Sequence, residues 1–219
     1  MVELIRGLDP ARVAANLARV RDQIDDAAGG RDVRILAATK YVPDEELPAL
    51  ARGGVELVGE NRAQDLERKI AAHGTLFEWH FIGRLQSRKV KAIVPHVTLI
   101  HSLASRSALA QLRAHAEHAH PGLRLLLEVN VAREEGKAGI APEEIGEYLA
   151  ASPLPVAGLM TMPPLAADSE ASRPWFAALR ELAARHGLAE LSMGTSQDFR
   201  VAAEEGATIV RIGTSLYDQ

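Results

Sequence analysis

Two hydrophobic rhythms alternate along the chain. Short, nearly continuous apolar runs are separated by longer stretches in which apolar positions return every three or four residues. The short runs predict strands at Val33–Ala38, Val55–Val58, Trp79–Ile82, Thr98–Ile100, Arg124–Val129, Val156–Met160, Glu190–Ser192 and Thr208–Ile212. The longer stretches predict helices near Asp44–Arg52, Asn61–Ala72, Leu85–Val94, Ser105–His118, Pro142–Ala151, Ser172–His186 and Gln197–Glu205. One more helix precedes the first strand. Asp9 can cap it, Pro10 suits its first turn, Val13, Leu17, Val20 and Ile24 form its apolar stripe, and Gly29–Gly30 ends it.

Strands separated by helix-sized connections pair in parallel. Eight such units is the count of a (β/α)8 TIM barrel, an α/β fold closing as a single domain over residues 1–219. An open doubly wound sheet is the other arrangement of such units, but no Gly-x-Gly-x-x-Gly loop follows any strand. Only Gly213–Gln219 follows the eighth strand, so the extra N-terminal helix is expected to cover the wall that a last helix would cover.

Composition narrows the function classes. Lys plus Arg total 25 against 29 Asp plus Glu, a net charge of -4, and aromatic residues are only 4%. Nucleic acid is therefore not an expected partner, since both phosphate neutralisation and base stacking are poorly supplied. There is no cysteine, which excludes disulfides, thiolate nucleophiles and cysteine metal sites. No apolar run approaches the roughly 20 residues of a membrane span. The segment Met1 to Arg12 has no signal-peptide core, so a cytoplasmic protein is expected.

In such a barrel the chemistry sits at the C-terminal ends of the strands. Those positions are Lys40, Glu60–Asn61, His80 with Gly83, Ser102, Asn130, Thr161–Met162, Ser192–Ser196 and Arg211–Thr214. Lys40 follows Ile-Leu-Ala-Ala-Thr at a buried strand end, where desolvation favours a neutral, nucleophilic amine. A lysine snorkelling out of the strand is the plainer reading. The last two loops, Ser-Met-Gly-Thr-Ser-Gln-Asp and Arg-Ile-Gly-Thr-Ser, set glycine beside hydroxyls, as a phosphate cradle does. Helix capping alone would account for Ser196 but not for Gly213–Thr214. Lysine and cradle together fit a phosphorylated aldehyde. Pyridoxal 5′-phosphate and the substrate of a sugar-phosphate aldolase both answer that description.

The ordered motifs Ala37-Ala-Thr-Lys40, Gly59-Glu-Asn61, Trp79-His-Phe-Ile-Gly83 with Leu85-Gln86, and Asn130 with Lys137-Ala-Gly139 carry a resemblance. So do Gly158-Leu-Met160, Leu191-Ser-Met-Gly194 with Ser196 and Asp198, and Val210-Arg-Ile-Gly-Thr214. The chain resembles the pyridoxal-phosphate homeostasis proteins of the YggS/PROSC type, which share the barrel of the alanine racemase N-terminal domain. The resemblance implies that Lys40 forms a Schiff base with pyridoxal 5′-phosphate, that Asn61 lines the cofactor, and that Arg211 faces its pyridine nitrogen. It also implies that Ser196, Gly213 and Thr214 hold phosphate. Arg88 departs from the family's usual Asn, Thr195 from a common Met, and Leu-Tyr-Asp-Gln from the usual end.

A cation facing the pyridine nitrogen disfavours ring protonation and weakens the electron sink. Racemisation needs an acid–base group on each face of the substrate carbon. The racemases take a tyrosine from a second domain. Here Tyr41 is expected to point away from Lys40, Tyr148 to sit on an outer helix and Tyr217 to be terminal. The expected function is therefore intracellular storage or delivery of the cofactor without robust turnover, with apo-enzymes that use the same cofactor as acceptors. An amino-acid racemase and a regulatory binding protein are the alternatives. A closed barrel is expected as a monomer or a weak dimer. Glu60 is a candidate ion-pair partner for Arg211. His80 is expected as an interior histidine, His115, His118 and His120 as a solvated helix end, and Arg84 to Lys91 as a solvated basic face.

Overall fold

The computed structural model describes residues 4–218, so the expectation for Met1 to Arg12 falls partly outside the described residues. Eight strands form a closed, all-parallel barrel in sequence order. They are β1 (Arg34–Ala38), β2 (Leu57–Glu60), β3 (Glu78–Phe81), β4 (Leu99–Leu103), β5 (Arg124–Glu128), β6 (Val156–Met160), β7 (Glu190–Thr195) and β8 (Ile209–Ile212). The helices are α1 (Pro10–Ala28), α2 (Leu47–Arg52), α3 (Ala63–His73), α4 (Val90–Ile93), α5 (Arg106–His115), α6 (Ile145–Ala151), α7 (Arg173–Arg185), α8 (Phe199–Glu204) and α9 (Thr214–Tyr217). Closure is made by β1 against β8, where Leu36 pairs with Arg211.

Strand alternation sorts the side chains into two cores. Leu36, Leu57, Leu99, Leu126, Met160 and Ile209 fill the barrel interior. Their neighbours, such as Ile35, Val58, Ile100, Leu125 and Val210, belong to the larger layer between strands and helices. Helix α1 begins and ends as expected. Asp9 caps it by accepting from the Ala11 N–H (3.1 Å), Pro10 opens it, and Gly29 closes it at φ 60°. It packs on α2, α8 and α9, and so covers the wall beside the last strand. Asn16 Nδ2 donates to Leu216 O (3.3 Å) and Asp218 O (3.1 Å), and Arg19 donates to Ser215 O (3.2 Å).

The differences from expectation lie at the mouth. Strand β4 runs three residues further than expected, through His101 to Leu103, and β7 runs on to Thr195. Inward positions there are polar, so the hydrophobic run stops before the strand does. The expected helix over Leu85–Val94 is a 3-10 turn, Ser87–Lys89, leading into α4. Helix α9 had no expectation. It is a single turn, with Leu216 and Tyr217 both buried. No helix among the described residues is long and apolar enough to cross a membrane.

Candidate functional site

A cavity of about 480 Å³ opens at the C-terminal ends of the strands, and Lys40, Asn61, Ser196, Arg211, Gly213 and Thr214 all line it. Strand β1 delivers Lys40 just beyond its end. The lysine is exposed, as the plainer reading of a side chain leaving the strand end has it, and its Nζ lies 4.8 Å from the centroid of the Tyr41 ring. Tyr41 lines the same cavity because the strand stops at Ala38 and the chain turns at Thr39–Tyr41, contrary to the alternation expected there.

Behind Lys40 stands a buried pair that the sequence reading missed. Lys69 on α3 contacts Glu60 at the end of β2, with both side chains at most 2% exposed. Lys69 Nζ also donates to Thr39 O (2.8 Å), Thr39 Oγ1 donates to Glu60 Oε1 (2.7 Å), and the Asn61 N–H donates to Glu60 Oε2 (3.1 Å). The residues before Lys40 and Asn61 are thereby tied to one another. Glu60 is consequently not the partner of Arg211. Gly83 completes the corner: a Cβ there would collide with the backbone carbonyl of Asn61.

Arg211 projects from β8 into the mouth and is buried. Its guanidinium donates to Ser192 Oγ (2.5 Å), Thr161 O (3.0 Å) and Met162 Sδ (2.9 Å). No carboxylate of the described residues is in salt-bridge contact with it. Burial lowers its pKa to about 10, with Asp198 and Glu128 opposing from a distance. The two last loops meet where the Gly213 N–H donates to Ser196 Oγ (3.1 Å). Ser196 therefore does not cap α8. Asp198 holds that loop instead, accepting from the Thr195 N–H (2.7 Å) and from Ser172 Oγ (2.8 Å). Just past Gly213, α9 opens with Thr214 and Ser215, and its first backbone bond is donated by the Leu216 N–H to Gly213 O (3.0 Å).

Two further residues belong to the wall, Tyr217, which was expected only as terminal, and Glu128, which the sequence reading did not single out. Tyr217 is buried, not a loose end, and its hydroxyl donates to Ala38 O (3.0 Å). Burial raises its pKa well above the phenol range. Glu128 ends β5 inside the cavity, whereas Asn130, the residue singled out there, bonds Glu134 in its own loop. Burial raises the Glu128 carboxyl, with Arg211, Arg84 and Lys137 opposing. A second hollow of about 500 Å³ adjoins the first and shares Arg84, Ser102, Glu128 and Ala138 with it. Arg88 and Lys137 also line it, so part of the basic face turns into a concavity. His80 is interior, as expected, and Tyr148 is buried on α6. The His115 and His118 rings lie 6.5 Å apart, and no metal-ligating cluster is formed among the described residues.

Fold and mouth together define a class: single (β/α)8 barrels that hold an amine and a glycine–hydroxyl cradle at the C-terminal ends of their strands. The family described as alanine racemase, N-terminal domain, matches residues 8–219. The chain is 41% identical over 220 residues to the pyridoxal phosphate homeostasis protein of Aquifex aeolicus, covering 95% of this chain and 96% of that one. PipY of Synechococcus elongatus superposes with a TM-score of 0.82 in its structure without PLP, at 30% identity, over 94% of this chain and 99% of that one. The PipY structure with PLP bound gives 0.79. The chain belongs to the alanine racemase N-terminal-domain family, in its pyridoxal phosphate homeostasis branch.

Proposed function

We propose that this protein binds pyridoxal 5′-phosphate at the barrel mouth, with Lys40 as the amine that joins its aldehyde, and serves intracellular cofactor homeostasis. The observation that carries the reading is the convergence of Lys40, Asn61, Ser196, Arg211, Gly213 and Thr214 on one cavity. The donor set fits the group. Asn61 Oδ1 is buried without a partner among the described residues and offers an acceptor to a ligand hydroxyl. Ser196, Gly213 and Thr214 gather a hydroxyl-bearing loop and backbone N–H groups for a phosphate.

When bound, this cofactor supplies an aldehyde for an amine and a ring able to accept electron density. The remaining roles belong to the protein. The Lys69–Glu60 pair fixes the backbone from which Lys40 and Asn61 project. Arg211 presents a cation that disfavours protonation of a ring nitrogen facing it. The wall at Tyr217 offers no base, because its hydroxyl is committed to Ala38 O and burial disfavours the phenolate. This supports storage and delivery, with cofactor-free enzymes as acceptors, over robust turnover. Action as a single-domain cytoplasmic protein, monomeric or weakly dimeric, belongs to the same proposal.

Purified protein incubated with pyridoxal phosphate should show the absorbance band of a lysine adduct, and Lys40→Ala should lack it. Retention of the band by Lys40→Ala would sink the assignment. Glu128 favours one second reading, a slow amino-acid racemase, because it is a cavity carboxyl held above the usual carboxylate range. Deuterium exchange at Cα of an amino acid, abolished by Glu128→Gln, would establish that reading. No exchange across an amino-acid panel would remove it.

A further inference from the structure

The barrel interior carries a line of polar side chains that cofactor contact does not explain. At its far end, near the N-terminal ends of the strands, Arg34 Nη2 donates to Glu78 Oε2 (2.5 Å) and Thr98 Oγ1 donates to Glu78 Oε1 (2.7 Å). Glu78 Oε1 lies 3.0 Å from His80 Nε2, and His80 Nδ1 lies 2.9 Å from His101 Nε2. His101 Nδ1 lies 2.8 Å from Ser192 Oγ, and Ser192 Oγ is the atom that accepts from Arg211 Nη1. His80, His101 and Ser192 are fully buried. The rest of this interior is filled by leucine, isoleucine and methionine, which would have packed it without any polar group.

With both rings neutral, the carboxylate end fixes the direction of every link. A guanidinium only donates, and an ionised carboxylate only accepts. Glu78 takes the Nε2 proton of His80, each ring's remaining lone pair is met in turn, and so the Ser192 hydroxyl proton goes to His101 Nδ1 while its oxygen accepts from Arg211. His101 then carries its proton on Nε2 and donates to His80 Nδ1. His80 likewise carries its proton on Nε2 and donates to Glu78. Each link holds one proton, and both rings are neutral. The other clash-free assignment charges His80, which then donates to both Glu78 and His101 while His101 donates from Nδ1 to Ser192; it places an imidazolium in a dry interior, which burial disfavours. Burial lowers the pKa of each ring. Glu78 opposes this at His80, while Arg34 and Arg124 add to it there. At His101 the charges of Arg211 and Arg34 lower it further, and a charge on His80 would do the same. Among the described residues Ser192 supplies the one side-chain oxygen that accepts from Arg211, and its proton has to point away for that contact to exist.

We infer that His80, His101 and Ser192 form a one-way hydrogen-bond relay in which donation runs from Arg211 to Glu78, and that it is the positioning device for the Arg211 guanidinium at the mouth. The proton arrangement stands on the protein alone. Its consequence for a bound cofactor rests on the function proposed above.

Two measurements test it separately. Long-range 15N–1H spectra of cofactor-free protein near neutral pH should show His80 and His101 as neutral rings protonated on Nε2, each assigned by its loss in the His80→Gln or His101→Gln protein. An Nδ1-protonated or charged ring at either position overturns the relay while leaving the cofactor reading intact. In cofactor-loaded protein, Ser192→Ala should raise the dissociation constant for pyridoxal phosphate about tenfold and shift the bound absorbance band, and Ser192→Thr should restore both. An unchanged constant and band in Ser192→Ala overturns the positioning role. A Lys40→Ala protein that keeps its band removes the cofactor reading, and the ring spectra still decide the relay.

Discussion

Lys69→Met isolates the structural support of the mouth. The ammonium is replaced by a thioether of similar length, and the Glu60 carboxylate is left inside the protein. Glu60 is 0% exposed and keeps only the Thr39 hydroxyl and the Asn61 N–H as donors. Breaking one side of a buried ion pair costs about 3–5 kcal/mol. For a domain of this size each kcal/mol lowers the melting temperature by about 2–4 °C, so a drop of about 6–20 °C is expected. Circular dichroism melts of cofactor-free protein measure it. The double variant Lys69→Met/Glu60→Gln should recover much of the loss, because the uncompensated charge is gone. Pyridoxal phosphate affinity of Lys69→Met should also fall, since Lys69 ties Thr39, the residue before Lys40. A single variant that melts within about 2 °C of wild type would refute the reasoning.

Three further outcomes follow from the geometry. Gly83→Ala forces a methyl into the Asn61 carbonyl, so it should cost about 1–3 kcal/mol and weaken cofactor binding; full affinity at wild-type stability contradicts the close packing. Tyr217→Phe removes the bond to Ala38 O and should cost about 1 kcal/mol in a urea melt with the Lys40 adduct band unchanged; loss of the band with stability intact would assign the phenol a chemical role. His80 and His101 are held below 6.5 by burial, so below pH 6.5 the unfolded chain binds more protons than the folded one. Stability is then lost as pH falls through the folded values, at about 1.4 kcal/mol per pH unit for each ring. His101→Gln should remove one ring's share of that slope in urea melts, and an unchanged slope contradicts the burial argument.

The barrel was legible because its strands are apolar on both faces and its helices on one, so the two periods separate along the chain. The mouth was only partly legible. Lys40, Asn61 and Arg211 stand at strand ends, where position alone points to them. His101 and Ser192 escaped as a pair because they come from strands 91 residues apart, and only barrel closure brings them to 2.8 Å. Lys69 reads as one more charged residue on a polar helix face until Glu60 is found beneath it. Glu128 was passed over for Asn130 because a carboxylate at the end of an apolar run looks like an exit to solvent, while the chain keeps it inside. Tyr217 was discounted for its place near the end of the chain, yet α9 carries it back onto β1.

The central claim is that Lys40 is the amine that takes the cofactor. Protein loaded with pyridoxal phosphate, reduced with borohydride and digested should yield one phosphopyridoxyl-modified peptide, the one containing Lys40. Recovery of the label on another lysine in wild-type protein, or no label at all from protein that carries the absorbance band, would contradict it.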